Sequence, residues 1–179
     1  MSRRRLVGGR LAWGAAAVML CAGLARHPPA EAAPETVVVV LPAAVSFFVT
    51  DVNAPTPGLP SPTPVSFQSA TIKNQRALEI SIRADSDFVP AGGGPAIPAS
   101  LVSWSVSSVA GGYGSDGTLS TTSYGLVYQS VEAVVHGPPG SATLGGGFDV
   151  GWTLAAPGAA IRAGAHLVTL RWKLESIKP

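Results

Sequence analysis

Three groups of residues in this chain have types and spacings that could do chemistry. Gly112-Tyr-Gly114-Ser-Asp-Gly117 spells G-x-G-x-x-G, the pattern with which a strand-to-helix turn holds a pyrophosphate on backbone amides. That chemistry needs a helix directly after the turn, and Thr118-Leu-Ser-Thr-Thr-Ser123 is a poor helix start. A glycine-rich hairpin loop accounts for the match. Asp85-Ser-Asp87 stands at the entrance of a loop and offers hard oxygen ligands of the kind Ca²⁺ takes, with Asp51, Asn53 and Asp116 elsewhere in the chain. Asp and Ser are also ordinary loop residues, so Asp85 and Asp87 are weak calcium candidates. His136 and His166 are 30 residues apart. His166 shares the parity of Val168 and Trp172, which reads as a histidine at the edge of a core.

The constellations of catalysis are missing. There is no Ser-His-Asp order, no paired glutamates and no His-Glu-x-x-His, and Tyr113 stands where a nucleophile elbow at Ser115 requires glycine. The chain therefore reads as a non-enzyme with no cofactor. Tyr113, in the glycine-rich stretch, is the one aromatic placed to stack on a ligand. Trp104, Trp152 and Trp172 fall on the inward parity of alternating segments and are expected in the core.

Behind these residues lie the elements that must position them. Glycine and proline recur every ten to fifteen residues or so, and β-type runs lie between them. Val37–Leu41 is short and β-branched; Val45, Phe47 and Val49 alternate with Ser46, Phe48 and Thr50. A proline-rich connector at 54–64 follows, expected to be neither a central strand nor a helix. Strand patterns resume over Val65–Ile72, Arg76–Ala84, Val102–Ser107, Tyr124–Val135, Phe148–Leu154 and Ala165–Ile177, with a long loop at 85–99. In the last segment Val168, Leu170, Trp172 and Leu174 share one face. They are expected to pack inward opposite Phe148, Val150, Trp152 and Leu154, with 156–164 joining two neighbouring strands. No window from residue 33 onward has the periodicity of an amphipathic helix. The expected fold is all-β: an antiparallel β-sandwich, immunoglobulin-like or jelly-roll-like, of about 7–9 strands.

The first 32 residues belong to a different category. Arg3, Arg4, Arg5 and Arg10 precede an apolar run from Leu11 to Ala25, and Ala30-Glu31-Ala32 offers a small-x-small cleavage site. This is the pattern of a secretory signal peptide, and its run is shorter than the ~20 residues a membrane span needs. Ser2-Arg3-Arg4-Arg5-Leu6-Val7 loosely fits twin-arginine export, although an ordinary basic leader explains it as well. Leu20 precedes Cys21, where lipidation requires a small residue. Cleavage removes the only cysteine, so what remains can have neither disulfides nor thiolate metal sites. It removes five of 12 basic residues and one of 10 acidic ones, leaving 7 against 9 and a net charge of −2. Nucleic acid is not an expected partner for such a chain. Residues 33–179 read as one secreted domain, poor in charge at 12% of the full chain against a usual ~25%.

Trp152-Thr-Leu154 and Trp172-Lys-Leu174 are both W-x-L triplets, and the second lies within the closing strand pattern. The C-terminal part resembles WxL-type cell-surface domains, although the 20-residue spacing is shorter than in that family. Ala163-Gly-Ala-His166-Leu-Val-Thr-Leu170 also resembles the last strand of spore-coat U-type and pilin-like secreted sandwich domains, with His166 replacing a tyrosine. These resemblances imply an exported, non-catalytic β-sandwich associated with the cell surface. The expected function is structural or adhesive, with a cell-surface component or a second copy as partner. The alternative is a module that binds carbohydrate or another extracellular ligand.

Overall fold

Alternation of apolar with small polar residues makes each strand of this protein two-faced, and two such sheets bury their apolar faces against each other. The structure, a computed structural model, describes residues 34–88, 95–134, 140–158 and 163–179. All of them belong to one compact unit, Ala32–Pro179. The expectations for the signal segment 1–32, Cys21 and His136 lie outside the described residues.

The strands are β1 (Thr36–Val40), β2 (Ala44–Val49), β3 (Thr56–Leu59), β4 (Thr63–Lys73), β5 (Ala77–Ala84), β6 (Val102–Ala110), β7 (Gly112–Gly114), β8 (Gly117–Thr118), β9 (Gly125–Ser130), β10 (Ser141–Leu154) and β11 (Gly164–Ile177). Every ladder is antiparallel. One sheet runs β1-β4-β10-β6-β8 and the other β2-β11-β5-β9-β7. The fold is thus all-β and sandwich-like, as expected from the sequence. The strand number rises to eleven because the proline-rich connector and the glycine-rich stretch each contribute short strands.

The connector at 54–64 corrects an expectation. β3 lies inside it and joins the two sheets, pairing Thr56 and Pro57 with β10 and Gly58 and Leu59 with β2. Each ladder is only two residues long, so the missing amide of Pro57 costs little. At the other side the chain crosses between sheets where β6 becomes β7, through Gly111 at φ +73°. A side chain there would also meet Gly145 O at 2.7 Å, so both conformation and space require glycine.

Between the sheets, Tyr128 of β9 stacks on Phe148 of β10 with centroids 5.0 Å apart and meets Phe67 of β4 edge-on at 5.5 Å. Val45, Phe47, Ile80, Ile82, Val150 and Val168 are buried around this cluster. β10 and β11, consecutive in the described chain, are not hydrogen-bonded neighbours, because β3 and β2 stand between them in the strand order. The strands on either side of 156–164 are therefore not adjacent, contrary to the expectation that this segment joins two neighbouring strands. Tyr124–Val135 contracts to β9, six residues long.

Candidate functional site

Two of the three tryptophans expected in the core are buried there, each with its indole N–H satisfied. Trp104 Nε1 donates to Ser115 O at 2.8 Å. Its six-membered ring lies against Gly117 and Gly125, where an added Cβ would come within 2.4 and 2.5 Å of ring carbons. The third glycine of the G-x-G-x-x-G stretch is thus a space-maker for an indole. Trp152 Nε1 donates to Thr63 Oγ1 at 3.0 Å, and that hydroxyl donates on to Pro60 O at 2.8 Å. Neither indole forms a stacking platform.

Trp172 departs from expectation. It is half-buried, packs against the core from its edge, and donates from Nε1 to Pro42 O at 2.7 Å. Leu174, on the same face, is 36% exposed, whereas Val168 and Leu170 are buried. The reason is the partner of β11, which changes midway. Gly164–Thr169 pair with β2, and Leu170–Ile177 pair with β5. Where β2 ends, β1 diverges to pair with β4, and the inward face of β11 lies beside an opening.

That opening is a cavity of about 370 Å³ lined by Glu35, Val37, Ile72, Leu78, Leu174, Glu175 and Ser176. Its floor is apolar and its rim carries two carboxylates. Glu35 Oε1 accepts from the Lys73 amide at 2.9 Å and from Ser176 Oγ at 2.7 Å. Burial pushes the Glu35 carboxyl up, but these hydrogen bonds and the charges of Arg76 and Lys73 outweigh it, and the net shift is downward. Glu175 pairs with Lys173 at 2.8 Å. Sequence reasoning missed this slot, because it arises from where one strand leaves another.

The other candidates lie apart from it. Tyr113 on β7 is 70% exposed and pairs across the ladder with Gln129. Asp85 is engaged by the Arg171 guanidinium, whose hydrogen bond holds its carboxyl below the usual range. Asp87 Oδ1 accepts from the Ala99 amide at 2.8 Å across the loop. No group of three or more His, Cys, Asp or Glu suited to a metal ion occurs among the described residues. His166 is buried on the inward face of β11, opposite Phe47. Arg83 and Lys173 stand over the Tyr124 ring, 5.2 and 5.3 Å from its centroid. No helix of the described residues is long and apolar enough to cross a membrane.

The outer face of the second sheet carries a patch of another kind. Ser46 on β2 pairs with Leu59 on β3 and with Leu167 on β11, while Phe48 pairs with Ala165. Phe48, Leu59 and Leu167 are 58, 50 and 59% exposed. No family model, no curated protein and no solved structure matches this chain.

Proposed function

We propose that this protein is a non-catalytic structural or adhesive β-sandwich of the cell exterior, acting by association with a surface component or with further copies of itself. The observation that carries the reading is the apolar patch of Phe48, Leu59 and Leu167 on the outer face of the second sheet, which elsewhere carries charged residues such as Arg83, Arg171 and Glu175. Large apolar side chains clustered in solvent mark an association surface. The basic, apolar and small-residue succession of the first 32 residues supports an exported chain, and the resemblance of its two W-x-L triplets to WxL-type domains supports a surface role. The test is envelope fractionation of the host together with size-exclusion of the purified chain. Surface retention or concentration-dependent assembly, lost in the Phe48→Ser/Leu167→Ser double variant, is the expected result. A soluble monomer indifferent to both substitutions would overturn the reading.

One observation favours a second reading, a carbohydrate-binding module: Tyr113 presents its ring to solvent from a short paired strand. Retarded migration in polysaccharide-loaded gels, abolished in Tyr113→Ala, would select that function instead.

A further inference from the structure

We infer that the opening between β1 and the C-terminal half of β11 is a receptor slot for an extended strand of another polypeptide, one that turns apolar β-branched side chains inward. The inference deepens the proposed function by naming where a partner enters, and so rests on that reading.

Both walls of the slot are strand edges. Leu170 N donates to Ala43 O at 2.9 Å, while Thr169 O accepts from Asp85 N at 2.9 Å. Amides alternate in direction along a strand, so the β2 side and the β5 side of β11 are opposite sides. Beyond Leu170 the β2 side of β11 has no strand against it among the described residues. The facing wall is β1, which among the described residues pairs only with β4. Side chains tie the walls at both ends, Glu35 to Ser176 and Trp172 to Pro42, each at 2.7 Å. These two ties also show that β1 and β11 run in opposite directions. A strand laid between them is therefore antiparallel to one wall and parallel to the other.

The chemistry of the slot selects a strand over other apolar occupants. Its floor reaches the core at Ile72 and Leu78, both fully buried, and offers apolar contact to any greasy ligand. Only a polypeptide also satisfies the amides and carbonyls of two edges. Natural edge strands refuse partners with lysine, proline or inward charge. β1, Thr36-Val-Val-Val-Val40, carries none of these. Its exposed valines, Val38 and Val40, instead extend the β-branched surface that a neighbouring strand would pack beside.

The test is amide hydrogen exchange on the purified chain titrated with a capped peptide of alternating Thr and Val. Two controls run alongside: the same peptide with proline at every second position, and dodecanoate. Saturating strand peptide should slow the slot-facing amides, those of Trp172, Leu174 and Ser176 and alternate residues of β1, by about tenfold or more, and should shift the emission of Trp172. Leu174→Arg should weaken peptide binding about tenfold or more. Ser176→Ala, which removes the tie to Glu35, should strengthen binding and leaves the floor untouched. Unchanged exchange at millimolar peptide would overturn the inference. So would equal protection by the proline peptide, protection by dodecanoate alone, or protection confined to β1 in a chain dimerising edge to edge. Peptide capture by a chain that never associates with a surface or itself would overturn only the structural reading. Association without slot protection would overturn only the slot.

Discussion

At the scale of single residues, the three strand tryptophans show how environment sets the cost of losing a side chain. Trp152 is enclosed on all sides and hydrogen-bonded to a buried threonine, so Trp152→Ala should cost roughly 3–5 kcal/mol by chemical denaturation. Trp172 has the same side chain and parity but borders an opening, and Trp172→Ala should cost roughly 1–2 kcal/mol. Equal costs for the two would mean that the slot is closed in solution. Trp104 makes the complementary case, since its ring already fills the space over Gly117. Gly117→Ala should overpack that contact and destabilise by about 1–3 kcal/mol, a loss that denaturation midpoints would register.

At the scale of elements, long strands here serve two neighbours in succession. β11 gives its first half to β2 and its second to β5, and β3 divides four residues between β10 and β2. The division of β3 joins the two sheets, and that of β11, within one sheet, leaves an edge where β2 departs. Val38→Lys places a charge on the outward face of β1 without touching the core. Thermal unfolding should be unchanged, while any association through that edge should weaken, as read by size-exclusion. The β6–β7 crossing is less tolerant. Gly111→Ala introduces a Cβ at positive φ against Gly145 O, and denaturation should show a loss of about 1 kcal/mol or more.

For the molecule as a whole, pH reports on both the slot and the core. Glu35 has its folded pKa below the ordinary 4.5, so its contribution is present above that value. It is lost as pH falls through the folded pKa, and Glu35→Gln should flatten this acid limb of stability. Tyr128 lies in the interior, and burial pushes its phenol from 10.0 up to about 12. Its contribution is complete below pH 10 and declines between 10 and about 12, so Tyr128→Phe should hold stability to higher pH in alkaline denaturation. At the other end of the chain, N-terminal sequencing of exported protein should begin at or near Ala33, and Met1 on the exported form would overturn the signal-peptide reading.

Alternation was enough to reveal most strands, because an apolar residue at every second position has few other ways to leave water. β2, β5, β10 and the first half of β11 lie where Val45, Ile80, Val150 and Val168 predict them. The all-β class followed from the same pattern. Local sequence could not specify which strand lies beside which. The proline connector read as a break, yet Thr56–Leu59 gains partners from the preceding strand β2 and from β10, which is distant in the chain. The same limit applies to Trp172 and Leu174, whose parity points inward. Whether an inward face is covered depends on the neighbour across the ladder. At Leu170 that neighbour changes, so the opening exists only in the tertiary arrangement of β1, β2 and β11. Periodicity assigns a side chain to a face; long-range pairing decides whether that face meets protein or solvent.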